Sequence, residues 1–186
     1  MKNNQSHSIS QEPGSPEPWV IQFSSLIPQG KILDLACGRG RHGRYFLNLG
    51  YSVTFIDKDL SGVVDLESHP SATLVEYDLE NNTPFPFEAG EFSGVIITNY
   101  LHRPLFPDLL KALNLGAVLI YKTFSQGNEQ FGKPSNPDFL LQQDELLRVF
   151  GQELKVIDFV QQKEANPDRM TQAICAIREY PRNIPI

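Results

Sequence analysis

Three carboxylates recur at matching places in this 186-residue chain. Each stands at the end of an apolar, strand-like run: Leu33-Asp34, Ile56-Asp57 and Tyr77-Asp78. The first run leads into a glycine turn, Gly38-Arg39-Gly40, and then into the helix-like stretch Arg41 to Leu47. Glycine has no side chain to block the close approach of backbone to a bound nucleotide. Asp34 precedes Gly38 by four residues. A carboxylate there repels a pyrophosphate but accepts a hydrogen bond from an ammonium. In an open parallel sheet the carboxyl ends of the strands meet at the ligand crevice. Three acids at that crevice suit a ligand with an ammonium, a ribose diol and an exocyclic amine.

A second cofactor competes for the same turn. Gly38, Gly40 and Gly43 fit GxGxxG, and Asp57 follows Gly38 by 19 residues, as the ribose acid of the dinucleotide fingerprint does. A nicotinamide-dependent oxidoreductase is therefore the alternative. Asp34 argues against it, because the fingerprint places a small apolar residue there, and so does the additional acid Asp78. Singly, an Asp at a strand end also serves as a helix cap or turn former.

The elements that must carry these residues alternate. An apolar stretch over Trp19–Leu26 suggests a helix. Strands are expected at Lys31–Leu35, Tyr51–Ile56, Thr73–Tyr77, Phe92–Thr98, Ala117–Tyr121, Leu154–Val160 and Met170–Ile177. Helices are expected at Gly40–Leu49, with Tyr45, Phe46 and Leu49 on one side, and at Asp108–Leu113 and Asp144–Phe150. A short helix is expected between Lys58 and Pro70. The pattern predicts an α/β fold: a Rossmann-like, doubly wound, seven-stranded sheet, mostly parallel. The turn at Asn166-Pro167-Asp168 is too short for a helical crossover, so the last strand runs antiparallel. One domain over 19–180 is expected, with a flexible N-terminal tail at 1–18, rich in Ser and Pro, and a C-terminal tail at 181–186.

Composition narrows the class. The chain is 40% hydrophobic and 20% charged, with a net charge of −6, as expected for a soluble, cytoplasmic protein. No run nears the about 18 apolar residues of a membrane span, and the first residues lack a secretory signal pattern. The basic residues Arg39, Arg41 and Arg44 surround the glycine turn rather than forming a separate face, so no nucleic-acid partner is expected. The four histidines are scattered, and Cys37 and Cys175 lack ligand spacing, so no metal site is expected. Both cysteines read as packing residues.

Over roughly residues 19–178 the sequence resembles the class I S-adenosylmethionine-dependent methyltransferases. Their acid-x-Gly-x-Gly-x-Gly pattern stands here as Asp34-Leu35-Ala36-Cys37-Gly38-Arg39-Gly40, with Ala36 replacing the first glycine. Among members it is most similar to the small tellurite-resistance and thiopurine-methyltransferase types. The resemblance implies S-adenosyl-L-methionine as cofactor. It implies that Gly38 and Gly40 line the methionine moiety and that Asp34 orients the cofactor through its amino group or a water. Asp57 would hold the ribose hydroxyls. Asp78 would hold the adenine amine, with the Leu79 backbone near the ring, and the Asn99 carbonyl would face the ammonium. Arg41 either meets the methionine carboxylate or pairs locally.

The segment after the fourth strand faces such a site. There His102 is the candidate base, Arg103 a candidate contact for an anionic acceptor, and Tyr100 a shaper of the pocket. Alternatively, His102 and Arg103 cap and solvate the next helix. Tyr121 opens a Gly- and Asn-rich stretch to Pro137 that suits either a closing flap or a solvated loop. Little chain remains for a separate substrate domain, so a small-molecule methyl acceptor is expected. A non-catalytic S-adenosylmethionine-binding protein is a further alternative.

Overall fold

The computed structural model describes residues 13–81 and 83–180. Helix α1 (Pro18–Phe23) is followed by strand β1 (Lys31–Leu35), helix α2 (Arg41–Asn48) and strand β2 (Ser52–Asp57). Strands β3 (Ala72–Glu76) and β4 (Phe92–Thr98) precede helix α3 (Phe106–Ala112). The chain continues as β5 (Leu113–Phe124), α4 (Glu145–Phe150), β6 (Lys155–Glu164) and β7 (Arg169–Ile177). The seven strands form one sheet in the order β3-β2-β1-β4-β5-β7-β6. Pairs from β3 to β5 are parallel, and β7 runs antiparallel between β5 and β6.

Period-two alternation sorts the side chains into two cores. Ile32, Ile96, Val118, Ile120 and Cys175 face Trp19, Phe23 and Phe46. Leu33, Leu35, Val95, Ile97, Leu119 and Tyr121 face Phe106, Leu109 and Phe150. Central strands covered on both faces read as continuous apolar runs. The chain order reverses between β1 and β4, which makes their carboxyl ends the switch point where α/β sheets bind ligands.

Several boundaries differ from those expected. Between β2 and β3 there is no α-helix, only two 3₁₀ turns, Leu60–Gly62 and Val64–Leu66. Leu49 is exposed, because it caps the end of α2 with a non-helical backbone. Strand β3 stops at Glu76, so Asp78 lies two residues past it, whereas Asp57 ends β2 and Asp34 lies within β1. β5 runs on to Phe124 rather than stopping at Tyr121. The packed chain also begins earlier than residue 19: Pro18 opens α1 and Glu17 is buried. The rest of the expected N-terminal tail up to residue 12, and the C-terminal tail at 181–186, lie outside the described residues. Among the described residues no helix is long and apolar enough to cross a membrane.

Candidate active site

The turn after β1 is built from left-handed backbone. Ala36 has φ +52° and Gly38 φ +53°. The alanine carries the steric cost of that conformation, about 1–2 kcal/mol. A Cβ on Gly38 would meet nothing within 4 Å, so this stretch of backbone borders open space. Gly43 has a different reason to be glycine: a Cβ there would sit 2.1 Å from the ring of Phe55. The third glycine of the motif thus lets α2 lie against β2.

Asp34 lies beneath this turn, 3% exposed. Its Oδ2 accepts a hydrogen bond from the Gly43 N–H at 2.8 Å, satisfying one of the free amides in the first turn of α2. Burial pushes its carboxyl up to about 7, against the opposing effects of the Gly43 hydrogen bond and the Arg41 charge. Next to it His42 is also buried. Its Nε2 accepts from the Glu17 N–H at 3.3 Å, which leaves the ring proton on Nδ1, 3.4 Å from Thr98 Oγ1. Burial, with the Arg41 charge, holds His42 down at about 3, so it stays neutral at physiological pH.

Asp57 and Asp78 border a cavity of about 240 Å³ at the strand ends. Asp57 Oδ2 accepts from the Gly38 N–H at 2.8 Å, and its Oδ1 from the Asp59 N–H at 3.2 Å. Asp78 Oδ1 accepts from the Glu80 N–H at 2.9 Å. Ala36, Leu79 and Tyr100 complete this wall, together with Lys58, Tyr77 and Glu80, which the sequence did not single out. The Tyr100 hydroxyl is enclosed and lies beside the Glu80 carboxylate. Burial raises its pKa, and the Glu80 carboxylate raises it further, so the hydroxyl keeps its proton.

A second cavity, about 210 Å³, shares Glu80 and Tyr100 with the first. Asn99, Leu101, Thr123, Phe124, Pro134 and Phe139 form the rest of its lining. Asn99 is held with φ +55°, and its N–H donates to the Lys122 carbonyl at 3.0 Å.

Other expected site residues lie elsewhere. Tyr121 is 1% exposed and packs among Phe106 and Phe150, so it is not a substrate contact. Its hydroxyl donates to the Tyr100 carbonyl at 3.0 Å and so supports the site from below. Arg103 is not available for an anionic acceptor. Its guanidinium donates to both oxygens of Glu145, at 2.7 and 2.9 Å, and to the carbonyls of Asp138 and Leu140, at 2.8 and 2.9 Å. It ties the 126–141 segment to the end of β4. His102 lines neither cavity; it caps the 3₁₀ turn Arg103–Leu105, its carbonyl accepting from the Leu105 N–H. Arg41 borders a different cavity, with Pro13, Gly14 and Tyr45.

A buried ion cluster closes the neighbouring end of β5. Lys122 pairs with Glu17 and, at 2.6 Å, with Glu164, while Arg169 lies 2.5 Å from Glu164. Burial opposes ionisation of Glu164, but Lys122 and Arg169 outweigh it and bring its pKa below the usual range. The charge of Lys122 amid the apolar β5 run was the available signal for this cluster. Among the described residues no group of three or more His, Cys, Asp or Glu is arranged to hold a metal.

The glycine turn, the strand-end acids and the sheet order together define the fold of the class I S-adenosylmethionine-dependent methyltransferases. The family model for tellurite resistance protein TehB matches residues 15–82. The structure of TehB from Haemophilus influenzae superposes with a TM-score of 0.71 at 18% identity, over 88% of this chain and 63% of that one. The present chain therefore spans just under two thirds of that TehB. An S-adenosylmethionine-dependent methyltransferase from Methanosarcina mazei gives a TM-score of 0.67 at 16% identity, covering 90% of this chain and 100% of the other. The 1,6-didemethyltoxoflavin-N1-methyltransferase of Burkholderia thailandensis, whose structure holds its substrate and S-adenosylhomocysteine, gives 0.65 at 15% identity, covering 87% and 76%. Comparison with curated protein sequences returns no match. The fold is thus of the class I methyltransferase type, and residues 15–82 are similar to TehB.

Proposed function

We propose that this protein is an S-adenosylmethionine-dependent methyltransferase acting on a small-molecule acceptor. The observation that carries the reading is the cavity shared by Asp57 and Asp78 at the switch point, beside the open backbone of Gly38. Its donor set fits the cofactor. Asp57 suits the ribose hydroxyls and Asp78 the adenine amine, with Leu79 against the ring. No pyrophosphate fits easily between two carboxylates, which disfavours a dinucleotide. Asp34 contributes from beneath, by fixing the first turn of α2 through Gly43. Asn99, Gly40 and Arg41 remain candidates for the methionine end.

When bound, S-adenosylmethionine would supply a methyl group on a sulfonium, to be displaced by the acceptor's electron pair while the carbon–sulfur pair stays with sulfur. The protein's own part is alignment and exclusion of water, which together supply about 7–11 kcal/mol in favourable systems. Arg103 holds the covering segment, Tyr121 fixes the Tyr100 backbone, and the ion cluster of Lys122 holds Glu17 over the strand ends. The similarity to other small methyltransferases, one of them bound to a small heterocycle, supports a small acceptor.

Asp57→Ala tests the assignment. It should weaken S-adenosylhomocysteine binding about tenfold or more, for loss of charge-assisted contacts worth roughly 1.5–3 kcal/mol. Unchanged affinity in a folded variant would remove Asp57 from the site.

A further inference from the structure

Glu17 touches both sides of the switch point. Its backbone N–H donates to His42 Nε2 at 3.3 Å, in the first turn of α2. The same imidazole places its Nδ1 3.4 Å from Thr98 Oγ1, at the end of β4. The Glu17 carboxylate pairs with Lys122 and lies 3.7 Å from Arg169. Lys122 belongs to β5, and its carbonyl accepts from the Asn99 N–H at 3.0 Å. One residue therefore holds the helix that follows the glycine turn, through His42, and the end of β4, through Lys122. Glu17, His42 and Lys122 are all buried, so water does not compete for these contacts.

The strand order sets which part of the cofactor feels this tie. Asp57 and Asp78, the candidates for the adenosine, stand at and just beyond the ends of β2 and β3, to one side of β1. Asn99, a candidate for the methionine end, stands past β4 on the other side. The contacts of Glu17 fall on α2, β5 and β7, and none of them reaches β2 or β3. We propose that Glu17 is a positioning residue for the methionine end of the cofactor, stapling the first turn of α2 to the end of β4 so that the glycine turn and Asn99 stand at a fixed separation. This rests on the methyltransferase reading above. The effect is preorganisation: walls already held at the bound spacing need not be ordered when the ligand arrives. The bond to the Lys122 carbonyl also helps to hold the left-handed backbone of Asn99, φ +55°, and with it the carbonyl that the methionine ammonium would meet. Without the Glu17 charge, Lys122 and Arg169 are left to share Glu164. A buried cation that loses one of its partners shifts or draws in water, and the β4 end moves with it.

Two ligands separate this role from a general structural one. S-adenosylhomocysteine carries both the adenosine and the amino-acid end, whereas 5′-methylthioadenosine carries the adenosine and lacks the amino-acid end. Calorimetry would titrate each into the full chain and into Glu17→Gln, which keeps the size of the side chain and removes its charge. S-adenosylhomocysteine should bind Glu17→Gln about fivefold or more weakly than the parent, while 5′-methylthioadenosine should stay within about twofold. Thr98→Val removes the hydroxyl beside His42 and keeps the side-chain volume. It should show the same split at smaller size, and it carries the test if Glu17→Gln does not fold. Equal weakening of both ligands would overturn the proposal in favour of a general structural role. Unchanged affinity for S-adenosylhomocysteine in folded Glu17→Gln would overturn it as well. Failure of S-adenosylhomocysteine to bind the parent would instead overturn the methyltransferase reading on which the proposal rests.

Discussion

Asp34→Asn isolates the buried acid beneath the glycine turn. The Asn side-chain oxygen can keep the hydrogen bond from Gly43, so the variant removes ionisation and little else. Burial raises Asp34 from 3.8 to about 7. Because the folded value lies above the unfolded one, ionisation opposes folding. The contribution of Asp34 is most favourable below about pH 4 and declines until the pH passes about 7. A rise of that size corresponds to roughly 4 kcal/mol lost at high pH, more than half of it between pH 5 and pH 8. Urea unfolding of both proteins at a series of pH values reads this directly. The stability of the variant relative to the parent should rise by roughly 2–3 kcal/mol over that interval. A difference that stays constant with pH would refute the burial argument. A difference that changes in the opposite sense would mean that Asp34 is held as a carboxylate by a cation.

Two further substitutions probe the frame of the site. Ala36→Gly relieves left-handed strain of about 1–2 kcal/mol and costs about 0.5–1 kcal/mol in chain entropy; urea unfolding should show a net gain of about 0.5–1 kcal/mol, and a net loss would contradict the strain assigned to Ala36. Arg103→Met leaves the carboxylate of Glu145 without its ion-pair partner and frees the carbonyls of Asp138 and Leu140. It should cost about 2 kcal/mol, less than a fully buried pair because Arg103 is partly exposed, and limited proteolysis should cut within 126–141 faster. Adding Glu145→Gln should recover part of the loss, and strict additivity would argue against the pairing.

The sequence was most legible where both faces of a strand are covered. β1 and β4 have the expected bounds, because a run such as Gly94 to Ile97 lies between parallel neighbours and is apolar throughout. The late strands were harder to read because their ends are polar and satisfied across the sheet. Gln172 donates to Gln161 at 2.9 Å, and Lys122 reaches Glu164. The three-residue extension of β5 also explains the misplacement of Tyr121. Read as the last residue of the strand, it lies three residues inside its end, opposite Ile97 and Ile174, while Thr123 and Phe124 reach the second cavity. Spacing placed Asp57 and Asp78 near one another, since strand ends converge by topology. Spacing alone does not show that Arg103 turns toward Glu145, or that Glu17 is drawn in by Lys122. Those contacts join residues 42 and 105 positions apart.

The central claim is the identity of the cofactor, and competitive calorimetry tests it most directly. S-adenosylhomocysteine and NAD⁺ would each be titrated into the protein, and then into Asp78→Ala. Saturable binding of S-adenosylhomocysteine, weakened by Asp78→Ala and not displaced by NAD⁺, is the expected result. Binding of NAD⁺ with none of S-adenosylhomocysteine would contradict the account and return the glycine turn to the dinucleotide enzymes.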